Sequence, residues 1–197
     1  MNLVAGVWVA AVVGLLSSAP NTYASDTETA MHVQLHKEGD VMVVDVDFFV
    51  AATPMEAWQV LTDFDHMHQF VSSVNSSRVV LRDGNRLQVA QTGKAAVGLL
   101  SFAFESLRDV QLTPYHTIRT RQLSGNMKRF EGLTSLQTEG VGTRITFHSE
   151  SVPGAWVPPL LGESFIEHQV QQQFQEIRTE ILKRKTTVGL ALLAPAR

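Results

Sequence analysis

Apolar residues alternate with polar ones, run together, or recur every third or fourth position in separate stretches of this chain. Each change of period marks a change of element. Val41 to Val50 (VMVVDVDFFV) is β-branched and aromatic with Asp45 and Asp47 two apart, the pattern of a strand with one wetter face. The period then changes. In Thr53-Pro54-Met55-Glu56 a hydroxyl, a proline at the first helical position and a glutamate three residues on form a capping box, so a helix starts here. Ala57, Trp58, Val60, Leu61 and Phe64 supply its apolar side, and Asp65 to Phe70 reads as a second short helical turn.

Between Val74 and Glu150 no helical period is sustained. Runs rich in Val, Leu, Phe and Thr are broken by turn signals at Asp83-Gly84-Asn85, Lys94 to Gly98, Thr113-Pro114, Ser124-Gly125-Asn126 and Glu139 to Gly142. The breaks leave six strands, at about 74–82, 85–93, 99–111, 116–123, 127–138 and 143–151. With the first strand these make a seven-stranded sheet, antiparallel because the connections are short. Leu160 to Lys185 then forms one long helix, with Ile166, Val170, Phe174, Ile177 and Ile181 as its apolar stripe. Glu163 near its start and Lys183-Arg184-Lys185 at its end complement the helix dipole.

This order predicts an α+β domain. A sheet of this size has a face to hide, and a helix of about 26 residues, about 39 Å long at ~1.5 Å per residue, is long enough to lie across it. The sheet must curl around that helix. One helix does not fill such a concavity, so space between sheet and helix is a candidate pocket.

The composition narrows the possibilities. The 197 residues are 44% hydrophobic and 18% charged, with a net charge of −3 and no Cys, which excludes a disordered chain, disulfides and thiolate metal sites. A slightly acidic chain has no general field for nucleic acid, and Arg119 and Arg121 beside Thr117 lack the interleaved aromatics that single-stranded binding uses. Met1 to Ala24 holds no charge, and its apolar stretch Leu3 to Leu16 is followed by Thr22-Tyr23-Ala24, which suits cleavage before Ser25. As a helix that stretch reaches about 21 Å, short of a bilayer's ~30 Å core. Residues 1–24 therefore read as a signal peptide, with an uncleaved anchor as the alternative, and the mature protein as periplasmic or secreted without stable membrane insertion. Residues 25–39 read as a polar lead-in, 40–186 as the domain and 187–197 as a loose apolar tail.

Several landmarks occur together in one order. They are Thr53-Pro54-x-Glu56-x-Trp58-x-Val60-Leu61-Thr62-Asp63-Phe64, then Gly125-x-Met127-x-Arg129-Phe130-Glu131-Gly132, the Gly142-Thr143-Arg144-Ile145 strand start, and Pro158-Pro159-Leu160 before the last helix. In these the chain resembles the SRPBCC, or START-like, superfamily, most of all its polyketide cyclase/dehydrase and coenzyme-Q-binding START-domain branch, over about residues 41–184. The resemblance implies a helix-grip fold, also described as Bet v 1-like, around a hydrophobic cavity. It leaves function open, since the superfamily includes lipid carriers, quinone binders and cyclases.

The candidate site follows from alternation. Phe102, Phe104, Ser106 and Arg108 share one face of their strand, and two phenylalanines on the concave side make an apolar wall with Arg108 further along. Phe130 and Phe147 on their strands, Val170 and Phe174 on the last helix, and Trp156 between Pro153 and Pro158 complete the ligand-binding set. The competing account of these side chains is plain core filling, and for Trp156 a wedge sealing the helix start.

Nothing assigns a catalytic residue, a metal or a cofactor. There is no HExxH, no GxSxG and no Gly-rich phosphate loop, and His66 and His68 are two apart, on different sides of a helix. His116 and His148 fall on separate strands, and His168 on the last helix's polar face. Glu105, Arg129, Glu131 and His148 are the other titratable candidates, with Arg129 and Glu131 sharing a face as a solvated or cross-strand ion pair would. Three functions remain: an exported carrier of a small hydrophobic or amphipathic ligand (lipid, isoprenoid or aromatic), a cyclase or dehydratase using the same cavity, or an envelope protein-interaction module.

Overall fold

The computed structural model describes residues 30–97, 100–154 and 163–193. The expected signal peptide and Trp156 lie outside these, as does the side chain of Phe102. The chain forms strands β1 (His32–Glu38) and β2 (Val41–Val50), helix α1 (Pro54–Leu61) and a 3-10 turn (Phe64–Gln69). Strands β3 (Val74–Asp83), β4 (Arg86–Val97), β5 (Leu100–Thr113), β6 (Thr117–Gly125), β7 (Met127–Glu139) and β8 (Gly142–Pro153) follow, and then helix α2 (Glu163–Leu193). One sheet holds all eight strands in the order β1-β2-β8-β7-β6-β5-β4-β3, every neighbouring pair antiparallel. This is the helix-grip arrangement the sequence predicts, with one more strand.

The extra strand corrects the count from seven to eight. It is β1, in the stretch read as lead-in, and it escapes the apolar pattern because only Leu35 of its side chains is buried. Gly39-Asp40 folds it back onto β2, and Gly39 takes φ 62°, a conformation a two-residue hairpin loop requires and glycine adopts without strain. Two further boundaries move. β4 continues through Lys94 to Val97, where a break is expected, and α2 runs to Leu193, through the first part of the segment read as a tail.

Alternation then sorts the strand residues. On β2, Met42, Val44, Val46, Phe48 and Val50 point to the concave face, while Asp45 and Asp47 point outward to His148 and Arg144. The α1 capping box forms as expected: Thr53 Oγ1 accepts from the Glu56 backbone N–H, and Glu56 Oε2 accepts from that of Thr53 at 2.7 Å.

The space under α2 is filled at one end and hollow at the other. Toward α1, Phe48, Val50, Val60, Ile145 and Ile181 are fully buried, and Thr143 donates its hydroxyl to the Ala52 carbonyl at 2.7 Å. Phe174 stacks at 5.9 Å from Phe48 and 5.1 Å from Phe147, centroid to centroid, and closes that packed end. The helix is pinned there by polar contacts as well. Arg184 reaches Asp63 at 2.7 Å and Glu180 at 2.8 Å, and Glu176 accepts from Ser72 N–H and Oγ at 2.9 and 2.6 Å. Beyond Phe174, toward the helix start, Ile166 and Val170 are only partly buried.

Candidate functional site: a cavity between sheet and helix

That hollow end is a cavity of about 280 Å³. Its sheet side is built from residues of seven strands, β2 to β8, among them Met42 and Val44 of β2, Val89 of β4, Phe104, Arg108 and Val110 of β5, and Phe130 of β7. Ile166, Val170, Phe174 and Ile177 of α2 form the opposite wall, and Leu61, Phe64 and Met67 of the helical insertion close one side. The wall is mainly apolar, the usual make-up of a small-molecule site, and the volume stands near the lower end of the ~300–1,000 Å³ such sites span.

The expected site residues whose side chains are described all converge here. Phe104, Arg108, Phe130, Phe147, Val170 and Phe174 line the cavity. Phe102 shares their strand face, opposite Ala95, but its side chain, like Trp156, lies outside the described residues. Phe104 owes its position to Gly93 across the ladder: a Cβ there would sit 2.4 Å from the ring and 2.2 Å from the Ser73 carbonyl oxygen. The bare backbone of β4 makes room for the phenyl group.

Sequence reasoning missed the helical insertion's share of the wall, and Met127, Gln173, Ser149 and Ser151. The two serines carried a signal. They continue the parity of Phe147 along β8, so alternation places them on the same concave face.

The polar groups in the wall are few. Gln91 donates its amide to Ser77 Oγ at 3.0 Å and to Met67 Sδ at 3.2 Å, which leaves it committed to its neighbours. Thr120, Thr134, Gln173 and the two serines are neutral. Among the described lining residues Arg108 alone is charged. Its guanidinium carbon lies 4.9 Å from the centre of the Phe130 ring, a cation–π contact, and its Nε is buried without a hydrogen-bond partner. Burial pushes this guanidinium down to about 10, still well above neutral pH, so it remains a cation.

The other described charges and histidines stay outside. On the convex face His148 Nδ1 and Asp45 Oδ1 are 2.8 Å apart, Arg129 pairs with Glu150 at 2.8 Å, and Arg144 bridges Glu139 and Asp47. Glu131 is exposed on that face too, so the cross-strand partner of Arg129 is Glu150. His66 pairs with Asp63 at 2.7 Å, whereas His68, His116 and His168 are exposed. No group of three or more metal-ligating side chains occurs among the described residues. Three larger hollows, of about 690, 550 and 390 Å³, are open grooves. The first is lined largely by polar residues of β3 to β5, the second by charged residues of the convex face that pair with one another and the third by residues of β1, β2, β7 and β8 around the His148–Asp45 pair, and none offers an apolar enclosure.

The arrangement therefore gives an apolar body a place out of water, with one fixed positive charge on the sheet side. The one titratable group in the described lining is Arg108, whose value of about 10 lies well above the neutral range where a general acid or base works best.

Solved structures share this architecture. The Zhui aromatase/cyclase of a Streptomyces species superposes with a TM-score of 0.63 at 16% identity, covering 73% of this chain and 95% of its own. A STAR-related lipid transfer protein fragment from Xanthomonas axonopodis gives 0.60 at 13% identity, with coverages of 76% and 98%. A Thermus thermophilus protein gives 0.62 at 19% identity, with coverages of 72% and 98%. At such identities the likeness is one of fold. No curated protein matches the sequence. A family model matches residues 50–178, from the end of β2 into α2, and by that match the chain belongs to the polyketide cyclase / dehydrase and lipid transport family.

Proposed function

We propose that this protein is a non-catalytic carrier that holds one small hydrophobic or amphipathic molecule between its sheet and α2. The observation that carries the reading is the hollow of about 280 Å³ between the sheet and the α2 residues Ile166 and Val170, walled mainly by apolar side chains. Phe104, Phe130, Phe147, Val170 and Phe174 are the residues assigned to the guest's apolar body, and Arg108 to its polar end. A cyclase or dehydratase would use the same space, as the aromatase/cyclase likeness suggests. Arg108 standing alone in the described lining favours carriage over acid–base work.

The carrier is assigned to the periplasm or the medium, on the strength of the uncharged Leu3 to Leu16 stretch ahead of Thr22-Tyr23-Ala24. No described helix is long and apolar enough to cross a membrane. N-terminal sequencing of protein taken from its host should begin at Ser25, and a chain still starting at Met1 removes this part of the reading.

Native-condition mass spectrometry of the same material tests the carrier itself. The expected spectrum shows one small-molecule adduct per chain that is lost on denaturation. Protein that arrives bare and takes up none of a panel of fatty-acyl and polyaromatic compounds removes the proposal.

A further inference from the structure

The inner face of β5 carries two buried polar atoms without a hydrogen-bond partner, Ser106 Oγ and Arg108 Nε. They are two residues apart, so they share a face, and Arg108 is the member that reaches the cavity. A buried cation ordinarily sits beside a carboxylate, because the energy of leaving water is otherwise not recovered. Here the cross-strand neighbours are Val89 and Gln122, and Gln122 turns its amide to the Met127 carbonyl at 2.7 Å. The guanidinium rests on Phe130 instead. The described lining contains no Asp or Glu to answer it. Fold stability gives no reason for such a charge, whereas a ligand does.

We propose that the cavity takes an amphiphile with a single carboxylate on an apolar body of no more than about nine atoms, its charge seated on Arg108. The inference rests on the carrier reading and names its ligand class. The size follows from the volume: at about 30 Å³ for each water-sized group, 280 Å³ accepts about nine. The charge follows from the count of cations. One guanidinium neutralises one negative charge, and a dianion would bring a second that no described lining residue meets. A carboxylate also suits the geometry of a guanidinium, which offers its N–H groups as a planar fork, and it would supply the acceptor that Arg108 Nε lacks.

The test compares decanoate with decanol by isothermal titration at neutral pH, on the full mature chain and on its Arg108→Met and Arg108→Lys variants. In the unaltered protein decanoate should bind about ten- to a hundredfold more tightly than decanol, the range expected when a charge-assisted hydrogen bond replaces a neutral one. Arg108→Met should bring that ratio to within about threefold of unity, and Arg108→Lys should retain part of it. If Arg108→Met does not fold, the ratio in the unaltered protein and the lysine variant still decide. Equal affinities in the unaltered protein overturn the carboxylate site and leave the carrier reading standing. A preference that survives Arg108→Met overturns it as well, because the charge is then read elsewhere. Binding of neither compound overturns the carboxylate site, and if the fatty-acyl and polyaromatic panel also fails to bind, the carrier reading falls with it.

Discussion

Arg108 lies with its guanidinium carbon 4.9 Å from the centroid of Phe130, two inward-facing residues of β5 and β7 that meet in the cavity and leave a cation facing a ring. A cation–π contact compensates part of the lost hydration, about 2 kcal/mol when desolvated, and a carboxylate partner would compensate more.

The ligand-free protein should therefore gain stability when this charge is removed. Arg108→Met keeps much of the side-chain volume and should raise the unfolding free energy by about 2 kcal/mol at neutral pH, measured by urea denaturation. The pH dependence has a defined sign. Burial holds the folded-state value down at about 10, below the ordinary guanidinium range, so between the two the unfolded chain binds the extra proton. The penalty is present in full below about 10 and is relieved as pH rises from there, and the gap between the two proteins should narrow above that pH. An Arg108→Met variant less stable than the original protein would contradict the account.

Asp63 and Arg184 fasten the end of α2 to the turn after α1. Burial alone would raise the Asp63 carboxyl, but its hydrogen bonds with His66 and Arg184, and the charge of both, outweigh that and hold it below its ordinary value. The stabilisation is therefore present above about pH 4, where the unfolded carboxyl is ionised, and is lost as pH falls through the lower folded value. Asp63→Asn should cost about 1 kcal/mol at pH 7, a modest figure because Arg184 is about a third exposed, and progressively less as pH falls below about 4. Thermal unfolding of both proteins across this range measures it.

How much of this was legible in the sequence depends on which interactions decide each feature. Phe104, Arg108, Phe130, Phe147, Val170 and Phe174 could be placed together because strand alternation and helical period are local, and each period assigns its residues a face. β1 was not legible as an apolar run. An edge strand with only Leu35 buried has no such run, and its signal was the Gly39-Asp40 loop ahead of Val41. The helical insertion's contribution to the wall, and the absence of a carboxylate beside Arg108 among the described lining residues, depend on register between distant strands. Val89 and Gln122 flank that arginine only because β4, β5 and β6 pair as they do.

Phe174 sits at the border between filled and hollow ends, against both Phe48 and Phe147. Phe174→Ala should destabilise the fold by about 3–4 kcal/mol, the cost of a large buried side chain and the space it leaves. It should also extend the cavity toward α1. The folded fraction is expected to accept acyl chains several carbons longer than the unaltered protein does, as read by a chain-length series in a displacement titration.

Gly93 should not tolerate a side chain. A Cβ there meets the Ser73 carbonyl oxygen and the Phe104 ring well inside van der Waals contact, so backbone as well as the ring must move. Gly93→Ala should cost about 1–3 kcal/mol by overpacking and, by displacing Phe104, reduce ligand affinity. Differential scanning calorimetry of the variant alongside the unaltered protein gives the first quantity.

The most direct test of the central claim is equilibrium titration of a fluorescent fatty-acyl probe into delipidated protein and into Val170→Trp, whose indole would occupy the space beneath α2. The account requires saturable binding of one probe per chain to the original protein and its loss in a tryptophan variant whose circular dichroism is unchanged. Probe that fails to saturate, or that binds the filled variant equally well, contradicts a guest held between sheet and helix.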